Sequence, residues 1–501
     1  MAKYFMGIDT GTQGARLGIV DEKGNIICAS EKGWSTSYPK PHWAEQEPEH
    51  WWASIEGVLK EIASQVTDEI KKNIVSICVD STSSTVIPVL EDGTPLSHAV
   101  MWMDIRAKKE NDEINATNHP VLEYSGGADS AEWFVPKMLW FKKNARDIYD
   151  RAYKFVDQLD WINYKLTGVW SSSICNMTCK GNYVRSLGGY DRSFFEAVGL
   201  EDFEDKMIMR VDNIGDVVGT IRPEIAQKYG LNPEIVVVQG SIDAHMGMFG
   251  LNAISEGKLA VTMGTSFVHL GIVNKKLDFK GIWGPYEDAI LDGTWCVEGG
   301  QSSAAGLVNW FARTFNIDKI TDENPFAFLA NSLYETSPGA DGLIALDFFQ
   351  GNRTPYKDSY AKGAIYGLTM QHTWKHIYRA ILEAVAFGTH NIISNFDEQG
   401  YTVNDIVACG GVTKNKPWIQ MISDITGKKI IINRDSQAAV LGCCVVGAGA
   451  TIYNGDFQKA ADNMVEAMKI IEPDMEKHAE YQPIFEKYKE LYESTKSLAR
   501  I

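Results

Sequence analysis

The chain of 501 residues is too long for one hydrophobic core, so its length predicts two or three domains. Hydrophobic residues make up 45% of the chain and charged residues 23%, which are ordinary values for a globular protein. The formal net charge of −17 argues against nucleic acid as a partner, because binding a phosphate backbone requires a basic surface.

The first predicted element is a β-hairpin near the start of the chain. Residues 7–25 read GIDTGTQGARLGIVDEKGN: an apolar strand that ends in Asp9, a turn rich in Gly and Thr, and a second strand. The backbone N–H groups and hydroxyls of such a turn can hold a phosphate, because glycine has no Cβ to keep it away. A carboxylate at Asp9 suits a Mg²⁺ ion that bridges nucleotide phosphates, although an Asp after a strand can also cap a turn.

Two further apolar runs in the first half predict buried strands. Residues 74–80 follow a charged, helix-like segment, as a buried parallel strand would, and residues 235–240 lead into a turn. Strand and helix signals alternate throughout, which predicts an α/β architecture. Ligands of such sheets collect at the carboxyl ends of strands, so Asp9, Asp80 and Asp243 are expected to share one cleft.

Asp243 is the best candidate for a general base. It follows a predicted strand directly and precedes a helix start, in the sequence GSIDAH. Phosphoryl transfer needs one acceptor for the proton of the attacking hydroxyl, and a carboxylate at this point can supply it. His245 competes for that role, although a histidine near a helix start is more often structural.

The hairpin of the first half is repeated past the middle of the chain. Residues 260–276 read AVTMGTSFVHLGIVNKK, again two strands joined by a Gly-Thr turn. Either hairpin alone could be an ordinary turn. The duplication predicts two related α/β halves that hold one polyphosphate between them. The small and polar segment 251–257 places the boundary, with one domain at 1–252 and the other at 253–501.

The second half also contains a long helix and a glycine turn. Apolar residues at helical spacing predict a helix from His376 to Phe396. Gly410 and Gly411 follow an apolar strand and would let a base or ribose lie against bare backbone, although paired glycines at a strand end are more often a tight turn. Pro417 indicates the start of the next helix. The last fifty residues are rich in Glu and Lys and predict amphipathic helices.

Cysteine usage and hydropathy indicate a cytoplasmic protein with no membrane partner. The eight cysteines are scattered, several of them inside apolar runs, which is typical of a reducing compartment. Cys175 and Cys179 are four residues apart, but no second Cys or His pair with zinc spacing accompanies them, so no metal site is predicted there. The chain starts without a signal peptide, and no apolar run approaches about 18 residues.

Taken in order, these segments resemble the FGGY carbohydrate kinases, members of the actin-like ATPase superfamily. The most specific match is GAIYGL at 363–368 followed, after seven residues, by HIYRAILE at 376–383. These two segments are similar to the family's C-terminal signature in residue type and spacing. The resemblance covers nearly the whole chain. It implies an α/β fold of two actin-like (ribonuclease H-like) ATPase domains flanking a central cleft, with ATP and Mg²⁺ as cofactors.

The resemblance also implies roles for individual residues. Asp243 would be the catalytic base, and Asp9 and Asp243 would hold the metal. The implied ATP-binding residues are Thr10, Gly11, Thr12, Gln13, Arg16, Gly264, Thr265, Ser266, Gly410, Gly411 and Asn415. The implied sugar-binding residues are Ser81, Thr82, Trp102, Asp104, Arg106, Lys180, Asp243 and Glu298.

Within the family, several segments are similar to ribulokinases. They are DSTSSTVIPV at 80–89, CNMTCK at 175–180, EGGQS at 298–302 and QGNRTP at 350–355. The segment WMDIR at 102–106 departs from this, because it is closer to xylulokinase and glycerol kinase patterns. The expected function is ATP-dependent phosphorylation of the terminal hydroxyl of a small ketose, with a pentulose such as ribulose or xylulose as the first candidate.

Three alternatives stay open. A kinase for a polyol such as erythritol or glycerol would use the same machinery. A non-catalytic sugar sensor would not need the intact Asp9 and Asp243. An actin-like filament protein or chaperone would share the duplicated halves but would have no reason for the set Lys180, Asp243 and Glu298. The sequence allows a homodimer and does not determine the oligomeric state.

Overall fold

Two large mixed β-sheets, one in each half of the chain, organise the protein, which a computed structural model describes over residues 2–434 and 437–500. The strands of the first sheet, from edge to edge, are β13 (Val217–Thr220), β14 (Val236–Val238), β5 (Ile74–Ser81), β1 (Tyr4–Thr10), β2 (Gly14–Asp21) and β3 (Ile26–Gly33). Those of the second are β17 (Trp283–Glu287), β18 (Trp295–Gln301), β16 (Phe267–Val273), β15 (Lys258–Met263), β21 (Asp405–Cys409), β22 (Lys429–Asn433) and β23 (Ala467–Ile471).

The two sheets repeat one design, as the duplicated sequence predicts. In the first, β1 pairs antiparallel with β2 and parallel with β5, which brings Asp9 level with Asp80. In the second, β15 pairs antiparallel with β16 and parallel with β21, which brings Thr262 level with Cys409. Both predicted hairpins and the predicted parallel strand at 74–80 are therefore present.

Smaller sheets cover the first half and extend the second. They consist of β4 (Glu45–Gln46), β7 (Ala99–Val100), β6 (Val86–Val89) and β8 (Lys154–Asp157); β9 (Ser172–Ser173) with β12 (Val211–Asp212); β10 (Tyr183–Val184) with β11 (Gly189–Tyr190); and β19 (Ile344–Leu346) with β20 (Ala364–Tyr366). None of the helices in the described part of the chain combines the length and apolar character that a bilayer crossing requires.

Helices flank both sheets. Those of the first half are α1 (Pro48–Gln65), α2 (Asp68–Lys72), α3 (Lys108–Ala116), α4 (Phe134–Asn144), α5 (Arg146–Arg151), α6 (Gln158–Thr167), α7 (Ile174–Lys180), α8 (Arg192–Ala197), α9 (Phe203–Lys206), α10 (Pro223–Tyr229) and α11 (Asp243–Gly250). Those of the second are α12 (Gly306–Thr314), α13 (Pro325–Ser332), α14 (Trp374–Glu398), α15 (Lys416–Thr426), α16 (Ala438–Thr451), α17 (Phe457–Met464) and α18 (Met475–Thr495).

The helix predicted from His376 to Phe396 is confirmed as α14, which is two residues longer at each end. Pro417 lies in the first turn of α15, as predicted. The C-terminal segment differs from the prediction in one respect, because β23 lies between α17 and α18. Four of its five residues are exposed, and it forms an edge of the second sheet, so its apolar pattern alone does not mark it as a strand.

The two halves share a hydrophobic layer built on α11 and α16. These helices pack closely, because a Cβ added to Gly250 would overlap the carbonyl oxygen of Ala438, and one added to Gly442 would overlap that of Met246. The buried cluster around them includes Phe5 and Cys78 of the first sheet together with Ala260 and Val407 of the second. One continuous core therefore joins the halves and positions the strand ends that face each other across it.

Candidate active site

Three carboxyl groups meet at one edge of the first sheet. Asp9 and Asp80 lie side by side on β1 and β5. Ser81, the next residue of β5, forms a parallel bridge with Ile242, so Asp243 begins α11 at the same edge. The structure thus brings together the three aspartates that the strand-end pattern predicts in one cleft.

Asp80 is the buried member of this carboxyl cluster. Burial raises its pKa well above the usual range, and the charges of Asp9 and Asp243 raise it further. The thiol of Cys443, on α16 of the other half, donates to Asp80 Oδ2 over 3.2 Å. Its neighbour Asp9 instead forms an ion pair with Arg16, whose guanidinium lies 3.1 Å from Asp9 Oδ2. The strand-end pattern predicts Asp80 in the cleft but indicates no role for it.

Asp243 is poised to exchange a proton near neutral pH. Burial raises its pKa to about 7, with a further contribution from the charge of Asp9, while the backbone N–H of Ala244 and the charge of Arg16 oppose the shift. The Ala244 N–H donates to Asp243 Oδ1 over 2.6 Å. The side chain is partly exposed at the cleft. A carboxylate in this state has the properties of a general base.

The turn of the first hairpin presents part of the predicted phosphate-binding set. The hydroxyl of Thr10 is buried and donates to the carbonyl of Asp80 over 2.6 Å, so this group is already engaged. Thr12 Oγ1 accepts from the indole N–H of Trp102 over 3.0 Å. The other predicted residues of this turn are accessible at the cleft: Gly11, Gln13 and Arg16.

The second hairpin turn, at Gly264, Thr265 and Ser266, is held from both sides. The N–H of Gly264 donates to the carbonyl of Ser266 over 3.1 Å. The carbonyl of Thr265 accepts from the N–H groups of Ala304 and Gly306, the latter at the start of α12. Three backbone hydrogen bonds therefore fix the path of this turn.

The predicted nucleoside-binding glycines lie against this second hairpin. Gly410 has a φ of 99°, and a Cβ there would clash with the backbone of Met263, so glycine is required. A Cβ added to Gly411 would meet no atom within 4 Å, so open space lies above its backbone. Asn415 caps α15 by accepting from the N–H of Trp418 over 3.3 Å, so part of its side chain is used within the protein.

Lys180 and Glu298 form a polar pair that links the two halves. Lys180, at the end of α7, places Nζ 3.4 Å from Glu298 Oε2 on β18 and 3.5 Å from the Tyr286 hydroxyl. The ammonium also lies over the ring of Trp133, 4.8 Å from its centre. Burial opposes ionisation of Glu298, but the charge of Lys180 outweighs this effect, so the pKa of Glu298 is lowered. Charged donors and acceptors beside two aromatic faces can bind a polyol.

Four of the predicted sugar-binding side chains are instead engaged within the protein. The Ser81 hydroxyl donates to the Thr82 carbonyl over 3.0 Å, and Thr82 Oγ1 donates to Gln158 over 2.8 Å. Asp104 is buried and pairs with Arg106 at 2.7 Å. Arg106 also pairs with Glu45 at 2.8 Å. In this conformation the side chains of Ser81, Thr82, Asp104 and Arg106 are therefore used for contacts within the protein, and Trp102 contacts Thr12 in the turn of the first hairpin.

Two members of the polar pocket carry no signal in the sequence. Tyr286 lies in β17 and Trp133 lies just before α4, and neither belongs to a periodic or motif-like pattern. They come together because α7 of the first half packs against β17 of the second. Such a contact between distant segments has no local sequence signature.

The FGGY family of carbohydrate kinases matches the chain twice, its N-terminal domain over residues 4–250 and its C-terminal domain over residues 259–451. A human protein described as FGGY carbohydrate kinase domain-containing protein is 32% identical over 546 residues, which cover 100% of this chain and 98% of the human one. A ribulokinase from Halalkalibacterium halodurans is 30% identical over 537 residues, which cover 98% of this chain and 94% of its own.

Solved structures share the fold over the whole chain. A gluconate kinase from Lactobacillus acidophilus superimposes with a TM-score of 0.89 at 22% identity, covering 99% of this chain and 98% of its own. A xylulose kinase from Rhodospirillum rubrum gives 0.89 at 20% identity and covers 100% of both chains. A Plasmodium falciparum glycerol kinase with ADP gives 0.87 at 21% identity and covers 98% of both. The predicted α/β fold of two actin-like domains is thereby confirmed.

Proposed function

Since the chain belongs to the FGGY family of carbohydrate kinases, which transfer phosphate from ATP to a sugar, we propose that its acceptor is the terminal hydroxyl of a pentulose, with ribulose preferred to xylulose. The segments at 80–89, 175–180 and 298–302 support ribulose, because they are similar to ribulokinases. The segment at 102–106 favours the xylulose or glycerol alternatives. A relative 30% identical over nearly the full chain is named a ribulokinase, which adds to the support for ribulose.

The position of Asp243 carries this proposal. Its carboxylate lies at the same edge of the first sheet as Asp9, which belongs to the first hairpin. His245 follows two residues later on α11. In the proposed reaction it accepts the proton of the sugar hydroxyl while that oxygen forms a bond to the γ-phosphorus and the bond to ADP breaks. A pKa of about 7 lets the group take up this proton and release it again near neutral pH.

The carboxyl cluster has the donor atoms that a magnesium ion requires. Mg²⁺ prefers carboxylate oxygen and water, and Asp9 and Asp243 offer such oxygens at the cleft. We assign these two residues as the ones that would hold it. When bound, the ion would neutralise negative charge on the transferring phosphate. Arg16, paired with Asp9, orients that carboxylate, and the raised pKa of Asp80 disfavours a third negative charge in the cluster.

The two hairpins and the glycine turn are the proposed nucleotide site. Gly11, Thr12, Gln13 and Arg16 would contact phosphates from the first half, and Gly264 to Ser266 from the second. Gly410, Gly411 and Asn415 would hold the nucleoside, supported by the open space above Gly411. In this proposal, domain 1–252 contains the sugar site and the base, and domain 253–501 contains the nucleotide site.

Lys180 and Glu298 are the proposed anchors of the sugar. They come from opposite halves, so a sugar that contacts both would tie the two domains together and help to exclude water that could attack ATP. Discrimination among epimers would depend on single hydrogen bonds, where an unpaired buried polar group costs about 1–3 kcal/mol.

A cytoplasmic location is part of the proposal and depends on the cysteine pattern.

A panel of ribulose, xylulose, erythritol and glycerol in a coupled ADP-release assay tests the proposal. Ribulose should give the highest kcat/KM, and Asp243→Asn should abolish most of that rate. Phosphorylation of erythritol or glycerol without activity on any pentulose would identify a polyol kinase. Sugar binding with no sugar-dependent ADP release would identify a sensor.

A further inference from the structure

A second set of metal-ligating side chains lies next to the Lys180–Glu298 pair. Cys175 and Cys179 are one turn apart on α7, so they share one face of that helix, and His245 approaches them from α11. One ligand atom from each, two sulfurs and one imidazole nitrogen, all lie within 4.8 Å of one another. All three side chains are buried.

The spacing of this cluster fits a single tetrahedral ion. Cys179 Sγ and His245 Nε2 are 3.8 Å apart. An ion with a metal–sulfur distance of about 2.3 Å and a metal–nitrogen distance of about 2.0–2.1 Å would separate two tetrahedral ligands of these kinds by about 3.6 Å. The ligand atoms therefore stand close to the separation that a shared ion requires.

His245 presents one ring nitrogen to the cysteines. Its Nε2 is the atom that lies next to the Cys179 thiol. The other ring nitrogen, Nδ1, is buried and has no hydrogen-bond partner in the described part of the chain. The imidazole therefore directs Nε2, and not Nδ1, at the thiols.

We propose that Cys175, Cys179 and His245 form a binding site for a thiophilic divalent ion of the Zn²⁺ class. Binding forms two metal–sulfur bonds and one metal–nitrogen bond and releases both thiol protons to solvent. The two thiolates balance the charge of the ion, so the filled site adds no net charge to the apolar interior. Sulfur and imidazole ligands favour such an ion over Mg²⁺, which prefers oxygen ligands. The thiophilic ion is therefore expected at this cluster and Mg²⁺ at Asp9.

The three ligands come from two helices of the first half, α7 and α11, and leave the fourth position of a tetrahedral ion open. The sequence gives no zinc spacing here, because His245 is 66 residues from Cys179 along the chain.

Cadmium titration of the reduced full-length protein, without ATP or Mg²⁺, tests the site. The thiolate-to-cadmium charge-transfer absorbance should saturate at one ion per chain, with two protons released per ion. Cys175→Ser and Cys179→Ser should each weaken binding by more than about 100-fold, since even the loss of an outer contact costs 10–100-fold. The matched control, Cys28→Ser on β3, lies outside the cluster and should bind as the wild type does.

Because the cluster is buried, the ion is supplied by two routes. Folded protein is incubated with Cd²⁺ to equilibrium, and a second sample is produced in Zn²⁺-supplemented medium and its metal content measured. Wild-type protein that holds no ion by either route overturns the proposal, as does a folded Cys175→Ser, Cys179→Ser double variant that keeps the full absorbance. If the double variant does not fold, the single variants decide the matter. The readout involves no turnover, so it is independent of the proposed kinase function.

Discussion

Asp243 combines a position at the carboxyl cluster with a pKa near 7, so replacing it by Asn, which keeps one oxygen ligand, should affect chemistry far more than ATP binding. Asp243→Asn should lower kcat by at least about 10²-fold and leave ATP affinity unchanged. In the wild type the rate should rise with pH up to about 7 and then level off, because the base must be deprotonated to act. Steady-state kinetics across pH checks both. Near wild-type turnover by the variant would make His245 the candidate base.

Lys180 is the residue whose loss should separate sugar from nucleotide. Its ammonium contacts Glu298 and Tyr286 and no phosphate-binding turn. Lys180→Met should raise KM for the sugar roughly 10- to 100-fold, the value of a hydrogen bond to a charged group, and change KM for ATP little. The exposed Lys275→Met serves as the control. Equal increases in both constants would remove Lys180 from the proposed sugar site.

At the scale of elements, the turn between β21 and α15 should govern nucleotide binding. Gly411 has open space above its backbone, so a branched side chain there obstructs a ligand without a clash inside the protein. Gly411→Val should weaken ATP binding while the affinity for the sugar changes little, and Gly411→Ala should have a smaller effect in the same direction. Calorimetry with each ligand measures this. Equal losses for both ligands in folded variants would place the nucleotide elsewhere.

At the scale of the whole molecule, the shared core of α11 and α16 should make the two halves unfold together. A side chain at Gly442 would overlap the backbone of Met246, so Gly442→Val should force the helices apart and destabilise the protein by at least about 1–3 kcal/mol. The same residue introduced at Thr451, at the end of α16, should cost less. Calorimetric scans should show one transition at lower Tm for Gly442→Val. Two separate transitions in the wild type would contradict a common core.

Local patterns predicted the parts of this protein that depend on neighbouring residues. Apolar runs that end at Asp9 and Asp80, and a third that leads into the turn carrying Asp243, marked strand ends, and parallel strands bring their carboxyl ends to one edge of a sheet. Helical spacing indicated α14, and the repeated hairpin indicated two related halves. The edge strand β23 was missed, because it is largely exposed and lacks the alternation of a half-buried strand.

The sequence by itself therefore determined the fold class, the family and the candidate segments for the chemistry, since these follow from periodicity and short motifs. Only the tertiary structure decided which side chains face the cleft. It turned Thr82, Asp104 and Arg106 to internal partners, and it joined Lys180 to Glu298 and His245 to Cys179. Those contacts join segments far apart in the chain, and their geometry depends on how α7, α11 and the second sheet pack, which no local pattern encodes.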